Sequence, residues 1–251
     1  MTTATRFQTA RARWAVAVGY VTCWVAGLLV GGPQLGPDAT AAEIGLAFSD
    51  ETRVLVFAVL VHGAAAAFLV LLGLSLSSGR TRRPVVALAT IAAVLSLDQL
   101  AGEVSLAVDP YRTGSVALWE MVSRVDGVKM LVLAALVGTV CAGAVRRGRA
   151  LMVVTVVTAV ALVLSGIGYL TLSAALMGLA AASLPLLLAW VVVATAATVG
   201  SEAIDDGPSV RRGGWLRRGG TSASGACPQT SPAPEVVASS PGEHQGLTLR
   251  G

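Results

Sequence analysis

Long apolar stretches separated by short polar connections dominate the pattern of this chain. Four stretches with few or no charges cover residues 14–30, 54–77, 85–108 and 123–145. A helix needs about 20 mainly apolar residues to cross about 30 Å of hydrocarbon. Each of these four stretches therefore predicts one transmembrane helix.

A fifth apolar run, residues 151–199, contains no charged side chain at all. As a single helix it would be about 70 Å long at the usual rise per residue, which is far too long for one crossing. The run must therefore fold back on itself, most simply near residues 171–175. The sequence thus predicts an all-α fold, a polytopic membrane helix bundle with six transmembrane helices.

The arginines predict how the chain is threaded. They cluster before the first stretch, between the second and third, between the fourth and fifth, and after the last: Arg6, Arg11, Arg13; Arg80, Arg82, Arg83; Arg146, Arg147, Arg149; and Arg211, Arg212, Arg217, Arg218, Arg250. Connections rich in arginine stay on the cytoplasmic side of a membrane. We therefore expect both termini in the cytoplasm and a multi-pass protein of a bacterial cell membrane. An alternative is that the first stretch is a signal peptide cleaved near Ala39-Thr40-Ala41, which would leave five passes.

Three regions follow from this pattern: a cytoplasmic N-terminus at 1–13, the six-helix domain at 14–199 and a cytoplasmic tail at 200–251. The tail is rich in Gly, Ser, Pro and Thr, so we expect it to be disordered. The whole chain is 55% hydrophobic and 13% charged, against about 25% charged in soluble domains. The lipid bilayer is therefore the expected surrounding. The net charge of +4 comes from loop arginines without an interleaved aromatic face, so nucleic-acid binding is not expected.

Six polar side chains inside the apolar stretches are the candidate functional residues. Ionisable groups in hydrocarbon are costly and are therefore candidates for function. We place Asp98 about 20 Å and Glu103 about 27 Å from the inner boundary, with Lys129 about 9 Å below the outer one. The five ionisable groups fall in the outer half, and Gln99 shares a helix face with Glu103. This predicts a polar pocket open to the extracytoplasmic face and lined by His62, Asp98, Gln99, Glu103, Asp126 and Lys129.

Lys129 needs a carboxylate partner at that depth, and we expect Glu103 or Asp98 on the neighbouring stretch to provide it. The competing interpretation is that the charges are structural. In that case Asp98 and Lys129 would form a pair that fixes helix register, and Asp126 and Glu103 would lie in the headgroup zone.

Several functions lack the residues they need. The chain has no GxxxxGK[ST], GxGxxG, HExxH or GxSxG pattern, and its two histidines and three cysteines form no metal-ligand cluster. We therefore expect no cofactor, no metal and no catalytic residue. The favoured function is a non-enzymatic accessory, sensory or assembly component. The alternative is a small transporter or proton-coupled permease subunit that uses the polar pocket. A membrane-protein partner or a homo-oligomer is left open.

Four architectural features resemble small six-helix membrane proteins of actinobacteria. They are an acidic connection after the first helix, the stretch Leu118-Trp119-Glu120 before the fourth, an arginine-rich connection before the fifth and Trp190 in the sixth. The resemblance covers residues 14–199 and implies the same six-helix architecture. It implies no activity.

The tail gives the first testable prediction. Truncation after Ile204 removes residues without apolar periodicity, so insertion and folding should be unaffected. Membrane accumulation and elution of the detergent-solubilised protein as a single species would be compared with those of the full chain. Loss of the truncated protein from the membrane would show that the removed residues belong to the fold.

Overall fold

The computed structural model describes residues 3–33, 35–77, 79–142 and 149–205, and all regular structure within them is helical. The elements are α1 (Thr3–Val30), α2 (Ala41–Ala47), α3 (Glu51–Ala58), a π-helical turn (Val59–Ala64), α4 (Ala65–Leu76), a 3₁₀ turn (Gly79–Thr81), α5 (Arg82–Val108), α6 (Ser115–Ala142), α7 (Arg149–Thr171), α8 (Ala174–Met177) and α9 (Ala180–Asp205). Six helical segments are long and apolar enough to cross a membrane. The prediction of an all-helical chain with six such helices is confirmed.

The reversal predicted within the fifth apolar run is present. Helix α7 ends at Thr171, and Leu172 adopts a positive φ of 52°. The backbone N–H of Ser173 then donates to the carbonyl of Gly168 at 2.9 Å, which closes the helix end. The short helix α8 follows and leads into α9, so α7 and α9 run antiparallel. Helix α9 continues to Asp205, and the rest of the predicted tail, 206–251, lies outside the described residues.

Helix α6 begins earlier than the sequence predicts. It starts at Ser115 instead of residue 123, because a tight turn of residues 109–114 connects it to α5. Gly114 provides the positive φ of 88° that this turn requires, and Arg112 donates to Ser105 Oγ at 2.7 Å across it. As a result Asp126 lies about 16 Å along α6 from its first residue.

The main hydrophobic core lies between the six long helices. Its largest fully buried side chains include Tyr20 of α1, Leu162 of α7 and Trp190 of α9. The indole Nε1 of Trp190 donates to Thr155 Oγ1 at 3.0 Å, which satisfies a buried donor and links α9 to α7. Buried polar groups are paired in this way throughout native interiors.

A second, smaller core lies at one end of the bundle, under the connection between α1 and α3. Residues 31–33 and 35–50, including α2, form a structure that we call the cap. Ile44 and Phe48 of the cap are fully buried against Leu106 of α5. The Trp119 ring of α6 packs edge-on to Phe48, with centroids 6.1 Å apart, and its Nε1 donates to the carbonyl of Gly36 at 3.3 Å.

A capping box begins helix α2. The backbone N–H and hydroxyl of Thr40 donate to Glu43 Oε2 at 2.8 and 2.9 Å, and the N–H of Glu43 returns a bond to the Thr40 hydroxyl. The backbone bond from Thr40, followed by the hydroxyl bond, lowers the pKa of Glu43 below its ordinary value. Because the pKa is lowered, this contribution to cap stability is present above the ordinary glutamate pKa. It is lost as the pH falls through the lowered value.

Helices α6 and α7 cross at two glycines. A Cβ added at Gly127 would lie 2.8 Å from the carbonyl oxygen of Gly166, and one added at Gly166 would lie 2.9 Å from that of Gly127. Small residues allow such close approach of helix backbones in membranes. The contact is at the level of Asp126, so it fixes the part of α6 that carries the candidate charges.

The glycine crossing gives the second prediction. Gly166→Ala should lower the stability of the detergent-solubilised protein by about 1–3 kcal/mol, because the added methyl meets a backbone oxygen that cannot move aside. Gly138→Ala on α6 is the matched control, since nothing lies within 4 Å of the added Cβ. There the better helix propensity of alanine should leave stability unchanged or raise it by up to about 1 kcal/mol. Thermal unfolding would measure both, and equal effects at the two positions would contradict the close crossing.

Candidate functional site

The π-helical turn in the second spanning segment carries the first site residue. His62 lies in this turn and is only 5% exposed. Its Nε2 lies 3.2 Å from Oε1 of Glu103 on α5, and the Phe57 ring packs edge-on against its imidazole at 6.0 Å. Single π turns inside α-helices occur frequently at functional sites. No pattern in the sequence predicts this turn.

Helix α5 contributes two side chains that lie one turn apart on the same face. Gln99 and Glu103 are 3% and 6% exposed. The i,i+4 spacing predicts this shared face, and the structure places both in one polar cluster with His62. Glu103 is the nearer of the two to the cap, because α5 runs toward the cap.

Helix α6 contributes an ion pair that is contained within a single turn. Lys129 Nζ lies 2.6 Å from Asp126 Oδ1, with side-chain exposures of 3% and 16%. The same ammonium donates a hydrogen bond to Oε1 of Gln99. The charge of Lys129 is therefore neutralised by Asp126 on the same helix, and its hydrogen bond to the neutral amide of Gln99 connects it to α5.

This arrangement corrects the expected partner of Lys129. Neither Glu103 nor Asp98 pairs with Lys129. Its partner is Asp126, which is three residues away on the same helix face. Glu103 pairs with His62 instead. Asp98, which we also expected in the pocket, does not line the cavity. Successive residues of a helix point about 100° apart, so Asp98, next to Gln99, is exposed on the outer surface of α5.

The other five predicted residues line one cavity of about 200 Å³. The remaining walls are mainly aromatic and apolar and come from α1, the cap, α3, the π turn, α6, α7 and α9: Trp24, Pro33, Phe57, Val61, Trp119, Val122, Ser123, Met130, Tyr169, Ala180 and Leu184. The cavity lies at the cap end of the bundle, with Pro33 and Trp119 as its walls beside the cap.

Three aromatic cavity walls, Trp24, Trp119 and Tyr169, were not among the residues predicted for the pocket. A usable signal exists for Trp119. With Ser123 and Asp126 it has the i, i+4, i+7 spacing of one helix face. That face was missed because α6 was expected to start at residue 123. Trp24 and Tyr169 join the cavity only through the packing of α1 and α7, which no local pattern reveals.

Two atoms of this polar cluster have no hydrogen-bond partner among the described residues. They are Nδ1 of His62 and Oε2 of Glu103, both buried. A buried polar atom left without a partner costs about 1–3 kcal/mol. Both atoms belong to side chains that line the cavity, so a molecule held there would satisfy them.

The chemistry available in the cavity is recognition by charge and hydrogen bonding. Within the described part of the chain, no group of three or more His, Cys, Asp or Glu side chains could hold a metal ion. The imidazole of His62 and the carboxylate of Glu103 are in direct contact. Lys129 is engaged by two partners.

Comparison with known proteins adds no assignment: no family model, curated protein or solved structure matches the chain.

The ion pair gives the third prediction. Lys129→Met should destabilise the protein by about 3–5 kcal/mol, because it leaves the largely buried Asp126 carboxylate without its partner. The double variant Lys129→Met/Asp126→Asn should recover most of this loss. Thermal unfolding of the purified protein in detergent measures the coupling between the two sites.

The matched control for this cycle is Lys129→Met/Glu103→Gln, in which the carboxylate removed is the partner of His62. Its two effects should add, because Glu103 does not contact Lys129. Coupling of Lys129 to Glu103 with additivity at Asp126 would contradict the pairing described here.

Proposed function

We propose that the chain is a non-enzymatic integral membrane protein of the accessory or sensory kind, which binds a small ligand in this cavity. The observation that supports the proposal is the cavity of about 200 Å³ in which His62 Nδ1 and Glu103 Oε2 lack partners. Charges serving only to fix helix register would be expected to close on one another, as Lys129 and Asp126 do. The His62–Glu103 pair instead leaves one atom of each residue for a third group.

The membrane setting and orientation belong to the same proposal. Six helices of spanning length support a membrane protein. Arg80, Arg82, Arg83 and Arg149 lie at the bundle end opposite the cap, whereas the cap itself carries acidic residues such as Glu43. Positive charge retained in the cytoplasm then puts the cap outside the cell and both termini inside. The cavity would open toward the extracytoplasmic face of a bacterial plasma membrane.

One observation favours the alternative of a small transporter or proton-coupled permease subunit. A second void of about 10 Å³ lies against Lys129, with Tyr20 and Ser96 in its walls, on the side away from the cap. A void of about 10–15 Å³ holds one water molecule when polar partners line it. The polar region thus continues past Lys129 to Tyr20 and Ser96, farther from the cap than the sequence predicted.

Beyond this void, three buried threonines of the described residues are engaged within the protein. Thr155 accepts from Trp190, the Thr158 hydroxyl donates to the Leu186 carbonyl at 3.2 Å, and Thr195 donates to Val191 at 2.8 Å. These bonds join α7 to α9 or lie within α9, so these three hydroxyls do not continue the polar region toward the far end. Binding from one side therefore fits the geometry better than passage across the membrane.

Cysteine accessibility provides the fourth prediction and tests the proposal. In a chain whose native Cys23, Cys141 and Cys227 are replaced by serine, Ser123→Cys places a thiol in the cavity wall. A membrane-impermeant methanethiosulfonate added to intact cells should modify it, because the cavity opens outward. Val137→Cys is the matched control on the same helix. Val137 is fully buried in the main core, so its replacement should remain unmodified.

The readout is the loss of later labelling by a fluorescent maleimide after the protein is denatured. Modification of the Ser123→Cys variant only in inverted vesicles would reverse the proposed orientation. Protection of that thiol from both sides would show that the cavity is closed to solutes and would remove the basis for ligand binding.

A further inference from the structure

We propose that the ligand of this cavity is a small organic cation, a protonated amine with an apolar or aromatic body. This inference rests on the proposed function, because it assumes that the cavity binds a ligand. It depends on three observations: the balance of charge in the cavity, the hydrogen-bonding character of the two unpartnered atoms of the His62–Glu103 pair, and the nature of the cavity walls.

The balance of charge favours a cation. Of the side chains that line the cavity, Lys129 is positive and Asp126 and Glu103 are carboxylates. Lys129 is matched by Asp126 at 2.6 Å. Glu103 has only His62, which is charged only if protonated. With a neutral imidazole, the cavity therefore contains one negative charge that no group of the protein neutralises at contact distance.

The two unpartnered atoms of the His62–Glu103 pair need hydrogen-bond donors. A third unpartnered atom among the lining residues, Trp24 Nε1, is itself a donor. An ionised carboxylate only accepts hydrogen bonds, so His62 must present a donating Nε2–H to Glu103 Oε1. In the neutral imidazole the other nitrogen, Nδ1, is then an acceptor. Oε2 of Glu103 and Nδ1 of His62 are thus two acceptors without donors. An ammonium group carries both the N–H donors and the positive charge that these two atoms lack.

The walls favour an organic cation over a metal ion. Hard metal cations require six or more oxygen ligands in many sites, whereas most of this lining is aromatic or aliphatic. Trp24, Phe57, Trp119 and Tyr169 approach the cavity from four different helices. Aromatic rings attract cations through their π faces and also cover an apolar body. An anion would meet the Glu103 carboxylate without an unpaired positive charge to balance it.

Four matched probes test the inference on the unaltered full-length protein in nanodiscs, with titration calorimetry as the readout. Benzylammonium has the charge, the N–H donors and the ring. Benzyl alcohol lacks the charge, benzoate reverses it, and benzyltrimethylammonium keeps it without N–H groups. Benzylammonium should bind at least about tenfold more tightly than the other three, which is a readily measured difference.

Glu103→Gln should remove the preference of benzylammonium over benzyl alcohol, because the amide keeps the shape and loses the charge. Asp98→Asn is the control, since it removes an α5 carboxylate that does not line the cavity, and it should leave the preference unchanged. If Glu103→Gln does not fold, the probe series on the unaltered protein decides alone.

The possible outcomes distinguish the inference of a cationic ligand from the proposed function, which is that the cavity binds a ligand at all. If benzoate or benzyl alcohol binds as tightly as benzylammonium, the inference that the ligand is a cation is overturned. Equal affinity for benzyltrimethylammonium would overturn the role of Glu103 and His62 as acceptors of N–H bonds. Failure of all four probes, with the Ser123→Cys thiol still modified from outside, would overturn the cation and leave an open cavity. Failure of the probes together with a protected thiol would overturn both.

Discussion

The cost of placing charged side chains among apolar helices is the constraint on which the rest of this structure depends. Lys129 and Asp126 meet it within one turn of α6 at 2.6 Å, and Gln99 extends their contact to α5 without adding a charge. The crossing at Gly127 then holds α7 close beside the same turn. With these three helices fixed, the space left at the cap end is bounded by rigid walls, and it remains as a cavity.

The sequence was sufficient for the features that depend on length and composition. It predicted six spanning helices and the reversal after Thr171, because an uncharged run of that length has no other solution in a bilayer. The depth of a side chain in the membrane was not enough, however, to identify the partner of Lys129. Asp98 and Gln99 lie at nearly the same depth but on different faces of α5, and the prediction ignored that rotation. Lys129 was assigned a partner across a hairpin, although the i,i+3 carboxylate on its own helix was already available.

The cap and the π turn show two different reasons for incomplete prediction. The cap was expected only as an acidic connection, yet Thr40 and Glu43 have the spacing of a capping box and so indicated a helix there. That signal was present and was not used. The π turn around His62 has no comparable signal, because an i to i+5 backbone pattern arises from the packing of neighbouring helices. The His62–Glu103 contact was therefore beyond the reach of local patterns.

The location of both Lys129 and Asp126 on α6 has a consequence for biogenesis. A charge whose partner lies on a later helix must wait, unpaired, while the ribosome makes that helix. Here α6 brings its own counterion, so the pair can form as soon as the helix itself forms. Glu103 emerges after His62 and finds its partner already made. Lys129 and Asp126 are therefore made together, and Glu103 is made after His62, so neither contact has to wait for a helix that comes later in the chain.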